Sequence, residues 1–106
     1  MSFRGLQRLA QIRQKLLPFV DTMEDHDILV AIGAANETGE SVGCKQLELL
    51  GFATPSTVQR RLKGLLRKRV IRRSVSRCDG RRVEYWLAAK TLAAYKLYMA
   101  ELKAHD

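Results

Sequence analysis

The chain has 106 residues, which is the size of a single domain with a small hydrophobic core. Its hydrophobic content of 46% excludes an intrinsically disordered protein, and its two cysteines are too few for a disulfide-stabilised scaffold. The net charge of +8 indicates an anionic partner. Arg8, Arg13 and Lys15 interrupt the apolar N-terminal segment, so we expect no signal peptide and no membrane span, and hence a cytoplasmic protein.

The first predicted helix lies within residues 1–20 and ends near Pro18. Its apolar positions recur at three- and four-residue spacing at Leu6, Leu9, Ile12, Leu16 and Leu17. This apolar sector is broader than one small core requires. We therefore expect part of it to contact a second chain.

Two further helices follow. Thr22 is a helix-capping residue that starts the second helix, which the glycines of residues 36–43 should end near Asn36. A short helix then begins at Cys44, turns Leu47 and Leu50 inward and ends at Gly51.

Thr54 and Pro55 form a cap and a first-turn proline that start a fourth helix about four residues later. Two helices this close together predict a helix-turn-helix.

The fourth helix, about 55–68, lies in the most basic part of the chain. Residues 56–82 contain eleven Lys and Arg against one acid, Asp79. At 3.6 residues per turn, one side carries Ser56, Gln59, Arg60, Lys63 and Arg67 within about 80°, opposite Val58, Leu62 and Leu65. A basic surface helix without a ligand is the alternative, but a stripe without acids favours binding to a polyanion.

The side chains on this stripe match the chemistry of DNA. Arginine pairs with guanine and glutamine with adenine, and helix N-terminal amides bind phosphate. We expect Ser56, Gln59 and Arg60 to contact bases, and Lys63 and Arg67 to contact the phosphate backbone.

Strand-like stretches on both sides of Asp79-Gly80 predict a β-hairpin. Arg77, Arg81 and Arg82 would lie near its tip, which suits the negative potential of the minor groove. Asp79 is expected to pair with Arg81 or Arg82 within the turn.

Tyr85 and Trp86 could stack on single-stranded bases. However, neighbours on a strand face opposite ways, so we expect at least one of them in the core. A last helix from Lys90 should bury Leu92, Tyr95, Met99 and Leu102.

The segment from about Asp21 to Lys90 resembles the winged helix-turn-helix transcription regulators of the MarR type. PSTVQRRLKGLLRKRVIRR is similar to the family pattern S-x-T-V-x-R-x-L-x-x-L-x-x-x-x-L-I-x-R. In the wing sequence DGRRVEYWL, Asp79, Arg81 and Leu87 stand at the family spacing. Arg69 replaces a glycine that commonly follows the recognition helix, and Ala88 replaces the Thr that often starts the last helix, which predicts an altered turn and a poorly capped helix.

The resemblance implies a mostly α fold with a small β-hairpin, a winged helix-turn-helix with flanking N- and C-terminal dimerisation helices. It implies a homodimer that places recognition helices, about 55–68, in successive major grooves, and wings, about 70–88, at the minor groove. Ser56, Thr57, Gln59, Arg60 and Lys63 would then contact the groove and phosphates, and Arg81 would lie at the wing tip. The chain is shorter at both ends than typical members, so we expect a smaller dimer interface and a reduced effector pocket.

We therefore predict one domain of residues 1–106, with an N-terminal helix in 1–20, a DNA-binding core in 21–88 and a C-terminal helix in 89–106. The predicted function is a sequence-specific double-stranded DNA-binding transcriptional regulator. A protein-interaction adaptor and a nonspecific, architectural or replication-associated DNA binder are the alternatives.

No catalytic set is recognised, and His26, His105, Cys44 and Cys78 lack the spacing of metal ligands, so we expect no enzyme activity, metal or cofactor. Whether a small-molecule effector binds is left open.

Overall fold

A computed structural model of the protein describes residues 2–76 and 82–104. Five helices and one two-stranded antiparallel hairpin follow one another as α1 (Phe3–Leu16), α2 (Met23–Asn36), α3 (Cys44–Leu49), α4 (Pro55–Arg67), β1 (Ile71–Ser76), β2 (Arg82–Leu87) and α5 (Ala89–Ala104). Within the described residues, none of the helices has the length and apolar content needed to cross a bilayer.

The helix starts are set by side-chain caps. The hydroxyl of Thr22 accepts a hydrogen bond from the amide of Asp25 at 3.2 Å, and that of Thr54 accepts from the amide of Thr57 at 3.3 Å. Pro55 occupies the first turn of α4, where its missing N–H is harmless. The predicted starts of α2 and α4 and the predicted end of α2 at Asn36 are confirmed.

The core lies between α2, the inner side of α4 and one face of the hairpin. Its fully buried aliphatic side chains are Leu17, Ile28, Leu29, Ile32, Leu47, Val58, Leu62, Leu65 and Val70. Leu50 was expected beside Leu47, but it is 58% exposed because it lies in the cap that ends α3. The short helix therefore contributes one inward leucine to the core rather than two.

The hairpin pairs Ile71 with Leu87 at its base and Ser76 with Arg82 at its far end. Tyr85 enters the core, as expected for one of the two aromatic neighbours, while Trp86 donates its indole N–H to the hydroxyl of Ser74 at 3.1 Å. The proposed turn at Asp79-Gly80 lies outside the described residues.

Val42 joins the hairpin at the outer side of β2. Its amide and carbonyl both bond to the backbone of Tyr85, at 3.3 and 2.8 Å. This one-residue pairing fastens the α2–α3 connection to the hairpin. It carries no periodic signal, and the sequence did not predict it.

The buried face of α5 agrees only in part with the predicted one, since Tyr95 is buried and Leu102 is partly buried against the core as expected. Thr91, Tyr95 and Tyr98 are buried, whereas Leu92 and Met99 are exposed. Apolar residues occur on both sides of this helix, so the hydrophobic pattern alone could not select the inner side. Thr91 is buried because its hydroxyl donates to the carbonyl of Val70 at 2.7 Å.

The turn after α4 contains a left-handed residue, Arg69, at φ 60°. The amide of Val70 donates to the carbonyl of Leu65 at 3.2 Å and that of Arg69 to Leu66 at 3.0 Å, which is the bonding pattern of a Schellman motif. Arg69 therefore adopts the conformation that a glycine would favour, and the turn has the geometry that the family pattern implies.

Arg69→Gly should stabilise the protein by about 1 kcal/mol, because a non-glycine residue in the left-handed region costs about 1–2 kcal/mol, part of which glycine's greater freedom in the unfolded chain offsets. Urea unfolding at fixed protein concentration measures the difference. Gly51→Ala is the matched control, since Gly51 has φ 78° and should lose stability. Unchanged or lower stability of the Arg69 variant would contradict this account of the turn.

Candidate nucleic-acid interface

The outer side of α4 is a basic surface without acidic residues of its own. Val58, Leu62 and Leu65 are buried against the core. The opposite, outward side carries the exposed side chains of Ser56, Gln59, Arg60, Lys63 and Arg67. The predicted division of this helix into an inner and an outer side is confirmed, while the DNA contacts of the individual residues stay predictions.

The side chain of Thr57 is less accessible to a ligand than those of its neighbours Ser56 and Gln59. It is half-buried, and its hydroxyl accepts a hydrogen bond from that of Thr54 at 2.9 Å. Its amide donates to the same Thr54 oxygen. Thr57 therefore belongs to the cap of α4, and at the start of the helix Ser56 is the more exposed hydroxyl.

Gln59 contacts an acid that the helix periodicity could not show. Its side-chain amide donates to a carboxylate oxygen of Glu48, on α3, at 3.0 Å. This bond orients the amide, which is the group that reads adenine in a major groove. It also places one negative charge at the edge of the basic side of α4.

Two cations of this region are paired with carboxylates near the start of α2. The guanidinium of Arg61 donates to both carboxylate oxygens of Asp25, each at 2.6 Å, and this contact raises the pKa of Arg61. The ammonium of Lys68 contacts the Asp21 carboxylate and the carbonyl of Phe19, the latter at 3.2 Å. Lys68 in turn lowers the pKa of Asp21. Arg61 and Lys68 therefore hold α4 to the scaffold.

Arg73 is a candidate residue that the sequence reasoning missed. It lies on β1 opposite Tyr85 and lines a cavity of about 180 Å³ together with Lys63 and Gln59 of α4. Strand periodicity could have indicated it, because Arg73 shares a face with Ile71, which packs into the core. The arginine thus extends the cationic surface of α4 onto the hairpin.

The predicted wing residues are only partly within the described chain. Arg77 and Arg81 lie outside it. Arg82 is exposed and pairs with Ser76, and its guanidinium reaches back towards the start of α3, where a Cβ on Gly43 would lie 3.6 Å from Nε. Arg82 therefore lies along the side of the hairpin, and its contact with DNA stays a prediction.

His26 and Cys44 have structural contacts. The Nδ1 atom of His26 lies 3.0 Å from the hydroxyl of Tyr95, the two rings stack, and burial lowers the pKa of His26. Burial and then the nearby Glu48 carboxylate raise the pKa of the half-buried Cys44 thiol, which disfavours a reactive thiolate. Across residues 2–76 and 82–104, no group of three or more His, Cys, Asp and Glu is placed to hold a metal ion. Cys78 and His105 lie outside those ranges.

No protein-family model matches the chain, and a search of curated proteins finds no match. Solved structures do match. MepR, a transcription regulator of the Staphylococcus aureus multidrug efflux pump MepA, superposes with a TM-score of 0.71 and 21% identity over 99% of this chain and 79% of that one.

The S. aureus MepR–DNA complex gives a TM-score of 0.67 with 20% identity, covering 95% of this chain and 70% of that one. A MarR-family regulator from Silicibacter pomeroyi gives 0.63 with 22% identity, covering 95% and 66%. The chain has the MarR-type winged-helix fold.

In the winged-helix fold, α3 and α4 correspond to the helix-turn-helix and the β1–β2 hairpin to the wing. The predicted fold class is confirmed. The cavity lined by Lys63 and Arg73 lies between α4 and the wing. Cationic side chains of both elements therefore meet at this cavity.

Proposed function

We propose that the protein is a homodimeric transcriptional regulator that binds double-stranded DNA in a sequence-specific manner. The recognition helix α4 would enter the major groove and the wing would contact the adjacent minor groove. The observation that carries this proposal is the outward side of α4, where Arg60, Lys63 and Arg67 are all exposed, while Arg61 and Lys68 are paired with the carboxylates of Asp25 and Asp21. One structural neighbour, MepR of S. aureus, forms a complex with DNA, which supports the same ligand class.

The homodimer is supported by apolar surface on the first and last helices. Every residue of α1 remains at least partly exposed, and Phe3 is 90% exposed. On α5, Leu92, Leu97 and Met99 are exposed as well. Covering this surface with a second copy would place two recognition helices on one duplex. We propose that this regulator acts on DNA in the cytoplasm, without enzymatic activity of its own.

The proposal is tested by the salt dependence of duplex binding. If each protomer contacts four or five phosphates, log K should fall with log salt at a slope of roughly −7 to −9 for the dimer, at about −0.9 per phosphate. Fluorescence anisotropy with a random duplex and with duplexes selected in vitro measures the salt slope of binding. The same measurements give the preference for selected over random duplexes.

Replacing both Lys63 and Arg67 with glutamine should make the slope shallower by about 3.6 for the dimer, since four phosphate contacts are lost. Lys96→Gln, an exposed cation of α5, is the matched control and should leave the slope unchanged. Absence of binding to any duplex at low salt would overturn the proposal. Equal affinity for selected and random duplexes would favour a nonspecific binder.

A further inference from the structure

A buried carboxylate joins α2 to the recognition helix. Asp25 lies in the first turn of α2, and its side chain is 0% exposed, although carboxylates are rarely buried so completely. Among the described residues it is the only charged side chain that is fully buried. Both of its oxygens accept hydrogen bonds from Arg61, whose side chain is 25% exposed.

This contact restricts how α4 can rotate. The two parallel bonds of a guanidinium and a carboxylate fix the distance and the common plane of the two groups. Residues of a helix are separated by about 100°, so Arg61 directed at Asp25 leaves Arg60 directed outward. Rotation of α4 about its axis would break the bidentate contact.

A second contact lies seven residues further along. Lys68, at the end of α4, contacts Asp21 and donates to the carbonyl of Phe19. Asp21 and Asp25 are themselves joined, because the amide of Asp21 donates to Oδ2 of Asp25 at 3.3 Å. Arg61 and Lys68 are about 10 Å apart along the helix axis. Two anchoring points at this separation define the direction of α4 as well as its rotation.

The second anchor reaches the short segment between α1 and α2, and the guanidinium of Arg61 lies 4.0 Å from the Asp21 carboxylate of the same segment. Phe19 and Asp21 follow Leu17, which is buried directly after the end of α1. We call Asp21, Asp25, Arg61 and Lys68 the carboxylate junction. The junction links α1, whose exposed apolar side is proposed to meet a second copy, to the helix proposed to enter the major groove.

The burial of this pair is poorly explained by stability alone. Replacing a buried ion pair with well-packed apolar residues of similar volume is often neutral or stabilising, because desolvation offsets the attraction. A bidentate pair does provide one defined geometry, which an apolar contact does not.

We propose that Asp25 and Arg61, assisted by Asp21 and Lys68, are positioning residues that hold the recognition helix at a fixed angle to α1. The junction would thereby set the spacing between the two half-sites that the dimer accepts. This inference rests on the proposed function.

The test uses the double variant Asp25→Leu/Arg61→Met, which keeps an apolar pair at the site and so retains the fold where a single substitution could unfold it. Glu37→Leu/Lys96→Met is the matched control, because it makes the same kinds of change at two exposed positions. Residual dipolar couplings of backbone amides, recorded without DNA, report the orientation of α4 relative to α1 and α2.

In the wild type, the couplings of α4 should fit the same relative orientation as those of α1 and α2. We expect the α4 couplings of the double variant not to fit this orientation. Those of the control variant should still fit it. Unchanged α4 couplings in the double variant would overturn the inference. This measurement does not involve DNA. If the wild type bound no duplex, the proposed function would fail, and so would the proposal that the junction sets the half-site spacing. The couplings would still test whether the junction fixes the orientation of α4.

The second readout is the affinity for selected duplexes in which the half-site spacing is changed by one base pair. The wild type and the control should discriminate at least tenfold between spacings, and the double variant less than threefold, with affinity for random duplex within twofold of wild type. Arg61→Lys should also lose discrimination, since one ammonium keeps the charge but cannot form two parallel bonds. Wild-type spacing preference in the double variant would contradict the role assigned to the junction.

Discussion

Arg61→Ala is expected to lower the free energy of unfolding by about 3 kcal/mol, because it leaves the carboxylate of Asp25 buried without its cation. A domain of this size is stable by only about 5–15 kcal/mol, so the loss is a large part of the total. It should lower the melting temperature by roughly 12 °C or more. Thermal and urea unfolding at matched protein concentration measure the effect, since a dimer's stability depends on concentration.

Arg60→Ala provides the control for that experiment. It removes the same side chain from the adjacent position of α4, but Arg60 is exposed, and its loss should change stability by no more than about 0.5 kcal/mol. Similar destabilisation by both substitutions would show that the contact between Arg61 and Asp25 is not the source of the loss.

The same Arg60→Ala variant should have a larger effect on DNA binding than on stability. An arginine that binds guanine through two hydrogen bonds contributes about 1–3 kcal/mol of discrimination, so we expect a loss of about 2 kcal/mol per half-site, roughly 30-fold. The loss should be confined to the selected duplex. Binding to random duplex should change little, because phosphate contacts dominate there.

Arg67→Ala is the comparison for this prediction. Arg67 is exposed near the end of α4, where we expect a phosphate contact, so its removal should weaken binding to selected and random duplexes by similar factors. Competition anisotropy with the two duplexes distinguishes a loss of affinity confined to the selected duplex from a similar loss for both duplexes. If both variants lost preference to the same extent, the assignment of Arg60 to a base and Arg67 to the backbone would be wrong.

Local signals in the sequence predicted most of the helices and the hairpin. Thr22, Thr54 and Pro55 specify helix starts through contacts within three residues, and such contacts follow from residue type and spacing. The inner side of α4 was predictable for a similar reason. Its buried residues form a clear stripe, and the opposite side is polar.

Features that depend on distant residues were not predictable in this way. The bond between Asp25 and Arg61 is one example, because the two residues are 36 positions apart and no local rule connects them. The inner side of α5 was predicted correctly at Tyr95 and Leu102 but not at Leu92 and Met99, because its apolar residues do not form a single stripe. Glu48 could not be recognised beside Gln59 until α3 and α4 were packed against each other.

The carbonyl of Val70 limits which parts of the chain can change in length during evolution. It accepts the amide of Ala88 at 3.1 Å and the hydroxyl of Thr91 at 2.7 Å, so one oxygen joins the turn after α4 to the start of α5. Inserting or deleting one residue between positions 88 and 91 would misalign both donors. The hydrogen bonds of the exposed residues 37–40 are local instead, because they join this turn only to the end of α2, as in the bond from the Thr38 hydroxyl to the carbonyl of Ala35 at 2.9 Å. Related sequences should therefore accumulate insertions and deletions at residues 37–40 and keep a constant length where β2 meets α5.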